Sequence, residues 1–125
     1  MEHERPVVLV VDDDASNRSF VCEHLRENGF HSLGVNSAER AIALLDHGFA
    51  TDLVFCDMRM PGDKDGYGLA RWVGEHHPEL PVILTAGKDD APALACPAEM
   101  LPKPYALDSA LAKIRKVIAG HKVPG

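Results

Sequence analysis

The sequence predicts an α/β fold, a doubly wound five-stranded parallel sheet, and three observations carry that prediction. Short apolar runs alternate with amphipathic stretches about five times along the chain. The strongest runs are apolar at every position instead of every second one, as in strands buried on both faces of a sheet. The chain has 125 residues, 46% of them apolar, which is the size of one domain with a substantial core.

The first run, VVLVV at 7–11, leads directly into Asp12, Asp13 and Asp14. A helix follows, with Phe20, Val21, His24 and Leu25 on one face and a stop at Asn28-Gly29. HSLGV at 31–35 is a less apolar strand, and Ser37 caps a second helix whose face is Ala38, Ala41, Ile42 and Leu45. LVFC at 53–56 is the third strand and ends at Asp57. Asp65-Gly66 suits a turn into a third helix that presents Leu69, Trp72, Val73 and His76. VILT at 82–85 and EMLP at 99–102 are the remaining strands, and Leu107, Leu111, Ile114 and Ile118 form the last apolar stripe. Between Thr85 and Met100, Pro92 and Pro97 leave space for about one helical turn, so a helix there is expected to be shortened. Right-handed crossovers would place helices on both faces of the sheet. The expectation is a single domain over 1–125, with a core of about 7–119 and a tail or linker over 120–125.

Thirteen basic against nineteen acidic residues give a formal charge of −6, which argues against a nucleic-acid backbone as direct partner. The three cysteines, Cys22, Cys56 and Cys96, form no C-x-x-C pair, and the seven histidines form no i, i+4 pair with a supporting carboxylate. Neither a disulfide framework nor a zinc site is expected, and a reducing cytoplasm fits best. No apolar run approaches the ~18 residues of a membrane span, and residues 1–6 do not resemble a signal peptide, so no membrane insertion is expected.

The three consecutive acids need a reason. Two unit charges about 4 Å apart cost about 4 kcal/mol at an effective dielectric near 20. Ligands of open α/β sheets bind beyond the carboxyl ends of the strands. There the sequence places Asp12, Asp13 and Asp14 after the first strand, Asp57 after the third, Thr85 at the end of the fourth and Lys103 after the fifth. A shared hard divalent cation such as Mg²⁺, which prefers oxygen ligands, would turn the repulsion into binding. A lysine and a threonine nearby would suit phosphate oxygens. These are the parts of a phosphoryl-transfer site, and Asp14 is read as a helix cap beside it.

VVDDDASNR, VFCDMRMPGDKDGYGLA, PVILTAG and LPKPY resemble, in order and at nearly the usual spacing, the signature blocks of the response-regulator receiver domain of two-component signalling. The likeness runs over about 7–119. It implies a flavodoxin-like strand order 2-1-3-4-5 and a phosphoacceptor role for Asp57, whose carboxylate takes a phosphoryl group from a phosphohistidine. It implies Mg²⁺ as cofactor, held directly by Asp13, through water by Asp12, and by Asp57 and the Arg59 carbonyl. Thr85 and Lys103 would contact the phosphoryl oxygens as charge spreads in the transition state. The implied partner is a histidine kinase or a histidine phosphotransfer protein, with slow self-dephosphorylation rather than classical enzyme turnover.

Three features depart from the family pattern. The loop MPGDKDG at 60–66 is one residue longer than the commonest version, a variant also found in receivers attached to hybrid histidine kinases. The stretch from Thr85 to Lys103 is shorter by about one turn, and Met100 stands where an aromatic switch residue is common. Two alternatives are weighed beside the receiver. A pseudo-receiver interaction module without phosphorylation would have no reason to gather acids around one lysine. An aspartyl-nucleophile phosphohydrolase would carry a second Asp two residues after the nucleophile, where this chain has Arg59.

Overall fold

The computed structural model describes residues 5–60, 62, 64–87 and 98–121. The element order is β1 (Val7–Val11), α1 (Ala15–Glu27), β2 (His31–Val35), α2 (Ala38–Asp46), β3 (Leu53–Asp57), α3 (Gly66–His76), β4 (Val82–Ala86), β5 (Glu99–Pro102) and α4 (Leu107–His121). All strand pairings are parallel, and the sheet order is β2-β1-β3-β4-β5. The order reverses between β1 and β3, which is where a ligand site is expected in such sheets. The shortened helix expected around Pro92 and Pro97 lies outside the described residues.

The unbroken apolar runs are explained by a core on each side of the sheet. Leu9, Val11, Val54, Cys56, Val82 and Leu84 pack against α2 and α3, whereas Val8, Val10, Leu53, Phe55, Ile83 and Leu101 pack against α1 and α4. Successive strand residues point to opposite faces, so 8–11, 53–56 and 82–86 are buried at every position, whereas β2 and β5 are largely half-buried or exposed. Each fully buried Val, Leu or Ile contributes roughly 1.5–3 kcal/mol.

Helix starts follow the sequence signals. Asp14, Ser37 and Asp65 each cap a helix with a side-chain oxygen that accepts a backbone N–H, from Asn17, Arg40 and Gly68 respectively. Two residues assigned to apolar faces are placed differently. Phe20 is 59% exposed, because α1 buries Val21, Cys22 and Leu25 and so turns Phe20 to the flank of that stripe. His76 is exposed at the end of α3 and stacks on the half-buried Trp72 at 4.4 Å between ring centroids. Cys22 and Cys56 are buried free thiols. Among the described residues, no helix is long and apolar enough to cross a membrane.

Candidate functional site

At the carboxyl end of β1 the ladder continues for one residue, with the Asp12 N–H donating to the Val35 carbonyl. The chain then turns into α1, and Asp14 caps that helix. Asp12 is 7% exposed, and both of its carboxylate oxygens are held: Oδ1 accepts the Asp14 N–H at 2.9 Å, and Oδ2 accepts the Asn17 amide at 2.6 Å. Arg18 donates to the Asp12 carbonyl at 2.7 Å. The path of Arg18 crosses β2 at Gly34, where a Cβ would lie 2.8 Å from Arg18 Cγ. Asp13, next along, is exposed.

β3 brings Asp57 to the same edge. Its Oδ1 accepts two bonds, from Lys103 Nζ at 2.8 Å and from the Arg59 N–H at 3.2 Å. The Asp57 side chain is only 11% exposed. Lys103 is set by its backbone N–H, which donates to the Ala86 carbonyl at 2.8 Å just past β5, and the peptide after it, Lys103-Pro104, is cis. Gly66 starts α3 hard against the Asp57 and Met58 backbones, and a Cβ there would meet the Asp57 carbonyl oxygen and come within 2.8 Å of Met58 Cα.

One carboxylate oxygen each from Asp12, Asp13 and Asp57 lies within 4.8 Å of the others, the spacing of groups that could share an ion. Burial pushes the Asp12 carboxyl up, and the neighbouring Asp57 and Asp13 charges add to it, against the lowering effect of the Asn17 and Asp14 hydrogen bonds. Burial pulls the Lys103 ammonium down, but the hydrogen bond and charge of Asp57, with Asp12 behind it, outweigh burial and raise it above its ordinary 10.5. The Cys56 thiol, which precedes Asp57, is pushed well up by burial and then by the Asp57 charge, so it stays protonated.

Asp12, Asp14, Asn17, Asp57, Lys103, Pro104 and Tyr105 line one open cleft of about 490 Å³. The fold therefore brings Asp12, Asp13, Asp57 and Lys103 together from three strand ends. Thr85 is placed by register beside Asp57 on β4, but it is 2% exposed and is not among the cleft's lining residues. Arg59 is exposed and meets Asp57 through its backbone N–H. A second hollow of about 400 Å³ lies at the opposite end of the sheet, lined by residues such as Asp52, His77 and Leu80 that precede β3 and β4. None of the predicted site residues lines it.

Sequence reasoning missed Asn17 and Tyr105. Asn17 Nδ2 bonds both Asp12 Oδ2 and, at 3.1 Å, the Tyr105 hydroxyl. A signal for Asn17 was present: it lies three residues after the cap Asp14, on the first turn, beside the acids it serves. Nothing local to Tyr105 announces a partner 88 positions away.

Comparison with known proteins agrees with this geometry. The sequence model of the response regulator receiver domain matches residues 8–115. The chain is 33% identical over 125 residues to the DNA-binding transcriptional regulator NtrC of Escherichia coli K12, covering 95% of this chain and 26% of that protein. It is 35% identical over 117 residues to the C4-dicarboxylate transport transcriptional regulatory protein DctD of Rhizobium meliloti, covering 89% of this chain and 25% of that one. The chain thus spans about a quarter of the length of these curated relatives. A response regulator receiver protein from Sinorhizobium medicae superposes with a TM-score of 0.84 at 26% identity, covering 95% of this chain and 98% of that structure. With its sheet order, its cluster of strand-end acids and a sequence match across nearly its whole length, the chain belongs to the response regulator receiver domain family of two-component systems.

Proposed function

We propose that the chain is a phosphoacceptor switch in which Asp57 takes a phosphoryl group from the phosphohistidine of a histidine kinase or a histidine phosphotransfer protein. The observation that carries the reading is the joint placement of Asp12, Asp13 and Asp57 within 4.8 Å and of Lys103 Nζ 2.8 Å from Asp57. A carboxylate oxygen of Asp57 attacks phosphorus, the phosphorus–nitrogen bond to imidazole breaks, and an acyl phosphate forms on Asp57. Oδ1 is the oxygen held by Lys103 and the Arg59 N–H, which leaves Oδ2 as the nucleophile. Lys103 then transfers its ion pair to the incoming phosphoryl oxygens, and Thr85, fixed beside Asp57 on β4, offers its hydroxyl to them.

The donor set fits Mg²⁺. All three clustered side chains offer carboxylate oxygens, the ligands a hard cation prefers. Burial is the main cause that raises the Asp12 carboxyl, and the Asp57 and Asp13 charges add to it; a cation between the three would relieve that repulsion. Asp13, exposed, and Asp57 would hold the ion directly, with the Arg59 carbonyl beside them. Asp12, whose oxygens are already bonded to protein donors, would act through water. Bound there, Mg²⁺ supplies positive charge against the phosphoryl oxygens as the bond is transferred.

The test is intact mass after incubation with a small-molecule phosphodonor. With Mg²⁺ the mass should rise by one phosphoryl group, and Asp57→Asn or removal of the cation should abolish the rise. A phosphoryl group that persists in Asp57→Asn overturns the assignment.

A further inference from the structure

The hydrogen bonds that reach Asp12 continue past it in a line across the cleft, to residues that are not themselves cation ligands. Asn17 sits in the first turn of α1, its own N–H fixed on the cap Asp14 at 3.1 Å, so the root of its side chain is held. Both hydrogens of Nδ2 are occupied, one on Asp12 Oδ2 at 2.6 Å and one on the Tyr105 hydroxyl at 3.1 Å. Rotating the amide by half a turn would bring its oxygen against a carboxylate, so the orientation is dictated by charge. Tyr105 is held in turn by the edge of its contact with Phe55, ring centroids 5.9 Å apart and planes at 89°. Phe55 lies two residues before Asp57 on β3.

From this line of contacts we infer that Asn17, braced by Tyr105, is a positioning residue for the cation site. It rests on the receiver reading and deepens it. The amide keeps Asp12 Oδ2 turned toward α1, so Asp12 serves as a fixed acceptor for cation-bound water while Asp13 and Asp57 remain available as ligands. Losing a group that orients a metal's ligands in this way typically costs about 10–100-fold in affinity. Tyr105 follows Lys103 by two residues, so the same line ties the cation side of the cleft to the loop that carries the phosphoryl-side lysine. Because Asn17 and Tyr105 line an open cleft, water can replace a lost bond there, and the loss should tell on cation binding more than on folding.

The experiment is a calorimetric titration of Mg²⁺ into the full chain as wild type, Asn17→Ala, Tyr105→Phe and the double variant, with metal-free melting temperatures beside it. Asn17→Ala should weaken Mg²⁺ binding about tenfold. Tyr105→Phe should weaken it about threefold. The double variant should match Asn17→Ala, because Tyr105 acts only through Asn17. Metal-free melting should shift by no more than about 2 °C. Wild-type affinity in Asn17→Ala, additive losses in the double variant, or loss of melting temperature with unchanged affinity would each overturn the positioning role. If wild type takes a phosphoryl group on Asp57 in these outcomes, the receiver reading stands and only this inference falls. Wild type that binds no Mg²⁺ and takes no phosphoryl group removes both.

Discussion

Lys103 and Asp57, 2.8 Å apart, make the site's response to alkali specific. The Lys103 pKa is raised in the folded chain, so its contribution to stability is full below 10.5 and is lost as pH rises through the higher folded value. Denaturant midpoints of wild type and Lys103→Met should therefore converge as pH is raised past the ordinary lysine value of 10.5 and through the higher folded one. A gap that stays constant would show that the ion pair contributes nothing to stability. Asp13 makes the opposite kind of prediction. It is exposed and within 4.8 Å of two other carboxylates, so its charge costs stability in the absence of a cation. At roughly 5 Å and a water-like dielectric the relief from neutralising it is about 1 kcal/mol. Asp13→Asn should thus melt higher than wild type in a chelator and lose most of the stabilisation that Mg²⁺ gives wild type, by differential scanning calorimetry with and without Mg²⁺. Equal Mg²⁺ stabilisation of both proteins would remove Asp13 from the ligand set.

At the level of elements, the strands were legible because burial on both faces leaves an unbroken apolar signature, and even the weaker runs at 31–35 and 99–102 are strands. Helix starts were legible at Ser37 and Asp14 because capping is a local interaction with a fixed offset of three residues. The exposure of Phe20 was not, since a helical face read from a handful of apolar residues can be rotated by one position when Cys22 takes the buried place. Nor was the closeness of β3 and α3, which depends on two backbones meeting. Gly66 allows that meeting, and its N–H donates to the Met58 carbonyl at 2.9 Å. Gly66→Ala should destabilise the fold by about 1–3 kcal/mol, read from denaturant midpoints, because the Cβ must displace the backbone that carries Asp57. A midpoint equal to wild type would mean that the β3–α3 connection yields without cost.

For the molecule as a whole, alternation of strands and helices established a parallel α/β sheet, but periodicity could not order the strands. The order 2-1-3-4-5 followed from the family resemblance, and the fold bears it out. The acids and the lysine could be assigned to one sheet edge because each follows an apolar run. The bond from Asn17 to Asp12 spans five residues and had a local signal in the cap at Asp14, but the bond on to Tyr105 depends on tertiary approach and left no local trace. Met100, where the family often has an aromatic, is half-buried against the core on the α2 and α3 side, next to Leu84 across the β4–β5 register. It fills that space with a flexible aliphatic side chain instead of a ring that turns in and out. What the whole arrangement exists to do, in this account, is to make one carboxylate among several a phosphoryl acceptor. The most direct measurement is chemical mapping of the modified residue. After treatment with a phosphodonor and Mg²⁺, borohydride reduction converts an aspartyl phosphate to homoserine, which peptide mass spectrometry locates. Homoserine is expected at position 57 and at no other aspartate; a phosphoryl group found on a histidine, or homoserine at position 12 or 13, would rule out Asp57 as the sole acceptor.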